Sequence, residues 1–181
     1  MVDKEIEKME HPQSVPIDLT TERMPNRGSQ GGFNLLFGLN DLCNEFLDGG
    51  NKTVLELGVC RGVSTKLFAH HAQRVVAVDR IRRGAVRKLV DNTTNIEFHR
   101  MMFKAFCKQC DEKFDLIYVD GRHSYQGVRE DLHHALPLLK KGGVASGHDI
   151  DRNNGVRKAV RKHFPKAVIR TFSDSSWAVQ L

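Results

Sequence analysis

The sequence predicts an α/β protein in which a doubly wound, mostly parallel β-sheet carries helices on both faces. Two observations lead to this prediction. Short apolar segments alternate with amphipathic helical segments five or more times along the chain. The apolar segments are short and nearly continuous, as in strands that are buried on both faces. The last 15 residues predict a hairpin, which would add one antiparallel strand to the sheet.

The predicted elements follow from apolar periodicity and from the glycine-rich breaks between them. The first helix has an apolar side made of Phe33, Leu36, Phe37, Cys43, Phe46 and Leu47. Helices are predicted over 33–47, 63–71, 82–91, 103–111, 125–140 and 154–164. Strands are predicted over 53–57, 74–79, 95–99, 114–120 and 142–147, followed by a hairpin of 167–172 with 176–181.

The chain has 181 residues, which is the size of one ordinary domain. Residues 1–32 contain three of the five prolines and the segment NRGSQGG, so we interpret them as a flexible arm or lid before a domain at 33–181. No segment approaches the ~18 consecutive apolar residues of a membrane span. The charged N-terminus lacks the apolar core of a secretory signal, and we therefore expect a cytoplasmic protein.

Four cysteines are present, and Cys107 with Cys110 forms a CxxC pair. A zinc site needs further ligands at a suitable spacing, and no second pair is evident in the sequence. We therefore expect free thiols.

The formal net charge is +6, and the basic residues concentrate in 80–88 and 157–166. Such segments either bind nucleic acid or another anionic partner, or they are solvated helix faces. The second interpretation is favoured because no aromatic-rich RNA-binding motif accompanies the charge.

The segment ELGVCRGVS at 56–64 follows the first predicted strand and predicts a cofactor loop. Gly58 and Gly62 would let the backbone turn tightly and approach a ligand. The spacing is GxxxG, whereas a dinucleotide fingerprint is GxGxxG. Glu56 would also repel a pyrophosphate, but it would attract the ammonium and sulfonium of S-adenosylmethionine. A plain glycine turn is the alternative interpretation.

Asp79 ends the second predicted strand, 23 residues after Glu56. A carboxylate at this position can accept hydrogen bonds from both hydroxyls of a ribose. The alternative is that Asp79 caps the helix that follows. We include Asp79 and the adjacent Arg80 among the candidate cofactor-binding residues.

Two further acidic residues follow neighbouring predicted strands, Asp120 after the fourth and Asp149 after the fifth. Two carboxylates side by side repel each other unless a cation lies between them, and oxygen ligands of this kind suit Mg²⁺ or Ca²⁺. His123 lies on the same loop as Asp120 and has the pKa range of a general base. Alternatively, His123 could cap the helix at 125–140, Tyr125 could be a core residue, and Asp149 could brace its loop.

These segments together resemble the class I S-adenosylmethionine-dependent methyltransferases, and especially the small O-methyltransferase group that includes the catechol enzymes. The resemblance is carried by ELGVCRGVS and by the long segment DGRHSYQGVREDLHHALPLLKKGGVASGHDIDRNNGVRKAV at 120–160. It implies a Rossmann-like sheet of seven strands in the order 3-2-1-4-5-7-6, with strand 7 antiparallel. It covers about residues 52–181 and leaves the N-terminal arm without a match.

The resemblance also assigns roles to individual residues. Glu56, Gly58, Gly62 and Ser64 would line the methionine end of the cofactor, and Asp79 would hold its ribose. Asp120, which also borders the cofactor, and Asp149 match metal-binding positions, and His123 falls where the catechol enzymes have a catalytic lysine. One departure is Ile150, which replaces an amide metal ligand, so that Asp151, His148 or water would have to substitute.

The expected reaction is methyl transfer to a hydroxyl of a small molecule or sugar, with a divalent metal such as Mg²⁺ assisting and His123 removing the proton. Met24 of the arm and Phe33, directly after it, could close over the substrate, and a partner subunit of a homodimer could complete the pocket. The alternatives are a nucleic-acid methyltransferase and a cofactor-binding module without catalysis. A dinucleotide oxidoreductase is disfavoured by Glu56 and by the missing third glycine.

Overall fold

A computed structural model of the chain describes residues 36–181, so the predicted arm at 1–32 lies outside the described part. These residues form a seven-stranded sheet in the order β3-β2-β1-β4-β5-β7-β6. Strands β1 to β5 are parallel to one another, and β7 is antiparallel to both β5 and β6. The fold class, strand order and closing antiparallel strand predicted from the sequence are therefore confirmed.

The elements alternate along the chain as the sequence pattern predicts. The strands are β1 Thr53–Leu57, β2 Arg74–Asp79, β3 Ile96–Arg100, β4 Phe114–Val119, β5 Leu139–Gly147, β6 Arg170–Thr171 and β7 Trp177–Gln180. The helices are α1 Phe37–Phe46, α2 Val63–His71, α3 Gly84–Asp91, α4 Phe103–Gln109, α5 Tyr125–Ala135 and α6 Asn154–His163, with a short 3-10 helix at Leu136–Leu138.

The central strands are buried on both faces and separate two apolar cores. Side chains alternate along β1, so that Val54 joins one core while Leu55 and Leu57 join the other. Helices α1, α2 and α3 cover the first core, and α4, α5 and α6 cover the second. This arrangement leaves the carboxyl ends of the parallel strands as an edge on which polar side chains can meet.

The predicted helix over 125–140 is too long, because α5 ends at Ala135. Pro137 lacks a backbone N–H, and its ring clashes with the preceding helical turn, so the chain passes through a 3-10 turn instead. The strand predicted at 142–147 accordingly begins earlier, at Leu139. Its first residues include an irregularity, where the pairing with β4 shifts between Phe114 and Leu116.

Other predicted boundaries were wrong by one to four residues, as is usual for helix ends. Helix α3 begins at Gly84 rather than 82, because the chain at Arg83 is still extended. Helix α4 ends at Gln109, and α6 ends at His163. The strand predicted at 95–99 is Ile96–Arg100.

The first helix also differs from the prediction, although residues 33–35 lie outside the described part. Helix α1 begins at Phe37, whose side chain is exposed rather than part of the apolar side. Helix α1 instead buries Leu39, Leu42 and Cys43, together with Gly38. Within residues 36–181, no helix is both long enough and apolar enough to cross a membrane.

Candidate functional site

The parallel pairing of β4 and β5 brings two acidic residues to the same edge of the sheet. Val119 is the register partner of Gly147 at the end of this ladder. Asp120 follows Val119 directly, and Asp149 follows Gly147 by two residues. The backbone N–H of Asp120 donates to the Leu57 carbonyl at 2.8 Å, which extends the sheet as far as the candidate site.

The imidazole of His123 lies between the two carboxylates. Its Nε2 atom is 3.3 Å from Oδ1 of Asp120 and 3.1 Å from Oδ2 of Asp149. The His123 side chain is 42% exposed, so a molecule in solution can reach it. The sequence-predicted trio of Asp120, His123 and Asp149 is therefore one contiguous cluster.

The pKa values of the cluster follow from these contacts. Hydrogen bonds to Asp120 and then to Asp149 raise the pKa of His123 to about 10. The contacts with His123 and then with His148 hold the pKa of Asp149 well below its usual range. In this arrangement the imidazolium therefore supplies the positive charge that the paired carboxylates require.

Residues beyond the trio hold Asp149 in place. Its backbone has a φ of 65°, a left-handed conformation that is uncommon for residues other than glycine. His148 is buried, its Nδ1 lies 3.2 Å from Oδ1 of Asp149, and its Nε2 donates to the Asp174 carbonyl at 2.7 Å. Asp174 is itself fixed by the N–H and hydroxyl of Ser176. The strained backbone is thus supported from the turn before β7.

The loop after β1 is organised around Glu56, which is fully buried. Its carboxyl oxygens accept hydrogen bonds from the hydroxyls of Ser64 and Thr65, in the first turn of α2. Burial raises the pKa of Glu56 to about 8, although these two hydroxyls lower it. Glu56 and Ser64 are therefore joined at the start of α2, but both side chains are enclosed in this conformation.

The two glycines of this loop are required by backbone geometry and by packing. Gly58 has a φ of 106°, and a Cβ atom there would lie 2.4 Å from the carbonyl oxygen of Asp120. Gly62 has a φ of 81°, and its Cβ atom would lie 3.0 Å from Leu89 of α3. The glycines thus let the first loop approach the Asp120 loop and α3, in addition to turning the chain.

Asp79 closes the first loop onto the end of β2. Its Oδ2 accepts hydrogen bonds from the N–H groups of Val59 and Cys60 at 3.0 and 3.1 Å, and Oδ1 accepts from Ile81 N–H at 3.0 Å. The interpretation of Asp79 as a helix cap is wrong, since Arg83 precedes α3. The next residue, Arg80, has an exposed side chain at the same edge.

Helix α5 begins next to the trio. The sequence left open that His123 caps this helix and that Tyr125 is a core residue, and the structure shows neither role. Ser124, not His123, caps α5 by accepting a hydrogen bond from the Gly127 N–H at 3.1 Å. Tyr125 is exposed and does not belong to the core. His123 is therefore not required to begin this helix, and its ring contacts the two carboxylates instead.

Among residues 36–181, the group suited to bind a metal consists of Asp120, His123 and Asp149, whose ligand atoms lie within 4.8 Å of one another. All four cysteines are free thiols, as expected from the sequence, and none belongs to this group. The CxxC pair of Cys107 and Cys110 accordingly forms no metal cluster in the described part of the chain.

The donors present fit a divalent cation, because carboxylate oxygens and an imidazole nitrogen converge at one point. Ile150 is buried in the apolar core and supplies no side-chain ligand. Asp151 is exposed and lies outside the cluster, and His148 is committed to Asp149 and Asp174. His123 is the nitrogen donor nearest to the two carboxylates, and its Nε2 atom can either bind the cation or accept a proton, but not both at once.

The sequence matches a protein family described as a methyltransferase domain over residues 55–150, which is more than half of the chain. The chain belongs to this methyltransferase family. The matched region runs from β1 to the residue after Asp149, so it contains the first loop, Asp79 and the trio described above. With the strand order, this match confirms the predicted class I S-adenosylmethionine-dependent methyltransferase.

Solved structures share the fold at low sequence identity. The O-methyltransferase NovP has a TM-score of 0.65 and 14% identity, with 78% of each chain covered. An O-methyltransferase from Bacillus cereus in complex with SAH has a TM-score of 0.61 and 19% identity, covering 78% of this chain and 80% of that one. An rRNA methylase from Streptococcus thermophilus has a TM-score of 0.60 and 16% identity, covering 78% and 92%.

A curated relative is the uncharacterized protein y4gI of Sinorhizobium fredii (strain NBRC 101917 / NGR234), which is 32% identical over 69 residues. The match covers 36% of this chain and spans 8% of the length of y4gI.

Sequence reasoning missed the residues that support the site. Thr65 is a second hydroxyl partner of Glu56, and Asp174 anchors His148 from the distant β6–β7 turn. The role of Thr65 could have been predicted from the sequence, because Thr65 directly follows Ser64 and lies on the same helical turn. No sequence pattern indicates the role of Asp174, since that role depends on β7 lying next to β5.

Proposed function

We propose that this methyltransferase transfers the methyl group of S-adenosylmethionine to a hydroxyl of a small molecule or sugar, assisted by a divalent cation. The observation that carries the proposal is the position of His123 between Asp120 and Asp149 at the ends of β4 and β5. A base and a pair of metal-binding carboxylates at one point are what deprotonation of a weakly acidic hydroxyl requires.

The first loop and Asp79 are proposed to bind the methyl donor. Asp79 already holds the loop through the N–H groups of Val59 and Cys60 and accepts a third hydrogen bond from Ile81 N–H after β2, so its carboxylate is fixed in place before a ribose binds. A carboxylate has about four lone-pair positions, which leaves capacity for a ribose hydroxyl. Glu56 lies under the same loop and provides negative charge for the cationic donor once it ionises.

Asp120 and Asp149 are proposed to hold the cation, with His123 as the proton acceptor. A divalent cation bound there would neutralise the carboxylates and lower the pKa of an acceptor hydroxyl. His123 would then lose the charge partners that keep it protonated, and its neutral imidazole could accept the hydroxyl proton. His148 and Asp174 would keep Asp149 in position while this occurs.

The proposal is tested by methyl transfer from radiolabelled S-adenosylmethionine to a panel of catechols, sugars and other hydroxyl compounds. We expect transfer to oxygen that EDTA abolishes and Mg²⁺ restores, and loss of turnover in Asp120→Asn and His123→Gln. Asp151→Asn is the matched control, because it removes a neighbouring carboxylate outside the cluster. Transfer to nitrogen, or full activity of Asp120→Asn in EDTA, would overturn the hydroxyl and metal assignments respectively.

A further inference from the structure

Three arginines surround the carboxyl end of β2. Arg100 ends β3 as the register partner of Asp79, and its Nε donates to the Arg80 carbonyl at 3.4 Å. Arg61 directly follows Cys60, whose N–H donates to the Asp79 carboxylate. All three arginine side chains are exposed. They lie next to the position at which the ribose end of the methyl donor is proposed to bind.

Two more arginines continue this surface along α3. The sequence suggested a solvated helix face for 80–88, but Arg83 is still extended and lies in the loop directly before the helix. The N–H of Arg87 donates to the Arg83 carbonyl at 3.0 Å, so these residues lie one turn apart on the same side. Val86 packs near Gly62 and fixes α3 against the first loop.

We call these five residues the arginine patch: Arg61, Arg80, Arg83, Arg87 and Arg100. None of them forms an ion pair with another residue of the described range 36–181, whereas Arg74, Arg122 and Arg170 each have a carboxylate partner there. The nearby Asp91 is paired with Arg82 at 3.4 Å. Unpaired like charges at one edge repel each other, so an anionic ligand would stabilise the arrangement.

The composition and shape of the surface favour a nucleic-acid strand. The planar guanidinium matches phosphate oxygens in a bidentate manner, and several phosphates in a row would engage several arginines. Ile81 and Met102, exposed by 48% and 56%, follow β2 and β3 and could contact unstacked bases. A membrane would require a wide apolar helix face, but α3 buries its Val86 in the protein core.

We propose that the arginine patch binds the phosphate backbone of a single-stranded nucleic acid. The strand order places the patch on β1–β3 and the Asp120–His123–Asp149 cluster on β4 and β5. A bound strand would therefore lie beside the donor site and could extend towards the acceptor position. The proposal concerns binding and does not depend on the metal or on turnover, so it goes beyond the proposed function.

The test measures fluorescence anisotropy of labelled single strands of about 20 nucleotides, as RNA and as DNA, over a series of salt concentrations. We expect the logarithm of the association constant to fall linearly with the logarithm of the salt concentration. The triple variant R83Q/R87Q/R100Q should weaken binding at least 10-fold and reduce the salt slope by about 2, since each phosphate contact on a single strand contributes about 0.7.

The matched control is K158Q/R161Q/K162Q, which removes the same charge from three exposed residues of α6 on the opposite face of the sheet. It should bind nearly as tightly as the unmodified chain. Equal losses in both triples would show a net-charge effect and overturn the proposal, as would retained binding by the patch triple. Patch-dependent binding of anionic vesicles or polyglutamate, but not of either strand, would overturn the choice of partner.

Melting temperatures and binding of S-adenosylhomocysteine are measured for both triples, so that misfolding is recognised. If the patch triple unfolds, the single variant R87Q takes its place, because Arg87 lies on the exposed side of α3. Failure of methyl transfer with intact strand binding would reject the proposed function alone, and the reverse result would reject the patch alone.

Discussion

The Nε2 atom of His123 lies 3.1 Å from Oδ2 of Asp149, which joins the loops after β4 and β5 through an imidazole–carboxylate contact. This contact occupies the point at which a divalent cation is proposed to bind. Metal binding and the His123–Asp149 interaction are therefore expected to compete.

Manganese binding tests the proposed ligands without any turnover. Binding of Mn²⁺ is measured by electron paramagnetic resonance. We expect Asp149→Asn to weaken the Mn²⁺ affinity at least about 10-fold, because even changes outside the direct ligands lower metal affinity 10- to 100-fold. Asp151→Asn should bind Mn²⁺ like the unmodified chain. Equal Mn²⁺ affinity in both variants would place the metal elsewhere.

The stability contributed by His123 should depend on pH. The pKa of His123 is raised from 6.5 to about 10, so its contribution is fully present below pH 6.5 and is lost as pH rises through 10. His123→Gln should thus lower the melting temperature most between about pH 5 and 7 and least above pH 10. The exposed His133 of α5 supplies the control His133→Gln. A difference that grows with pH would contradict the assignment.

Glu56 should make the chain less stable at alkaline pH. Burial raises its pKa from 4.5 to about 8, so the stability from this group is full below pH 4.5 and is lost as pH rises through 8. Glu56→Gln keeps the shape but cannot ionise, and its melting temperature should fall less than that of the unmodified chain between about pH 6 and 9. Parallel curves in thermal unfolding would show that Glu56 does not titrate in this way.

Replacing Asp79 should weaken cofactor binding. Asp79→Asn retains one oxygen acceptor but turns an N–H group towards the loop N–H donors of Val59 and Cys60 or of Ile81. Hydrogen bonds to a charged group contribute about 1.5–3 kcal/mol, so we expect about 10- to 100-fold weaker binding of S-adenosylhomocysteine by calorimetry. Asp91→Asn, at the end of α3, is the matched control, and equal affinities would remove Asp79 from the donor site.

Alanine variants of Gly49 and Gly58 distinguish backbone strain from steric overlap as costs of an added methyl group. Both have positive φ, but a Cβ at Gly58 would meet the Asp120 carbonyl at 2.4 Å, whereas at Gly49 nothing lies within 4 Å. Gly49→Ala should cost about 1 kcal/mol of backbone strain. Gly58→Ala should cost about 3 kcal/mol or more in denaturant unfolding, because overpacking adds to the strain. Similar losses would indicate that the first loop yields to the methyl group.

Much of the fold could be predicted from the sequence because local patterns report local structure. The runs TVLEL and RVVAVD became β1 and β2 within the predicted bounds. The helix predicted at 125–140 failed at Pro137, since apolar spacing continued where the backbone could no longer be helical. The charged segment 80–88 was assigned to a helix face, because the sequence does not show which residues remain in the loop before α3.

The sequence by itself determined the order of strands and helices and the residue types at each strand end. Because parallel strands end at one edge, the sequence also determined that Asp120, His123 and Asp149 lie together. The tertiary structure alone decided that His148 and Asp174 support Asp149 and that Asp79 holds the first loop closed. These contacts join residues brought together by sheet packing and loop closure, which apolar periodicity does not encode.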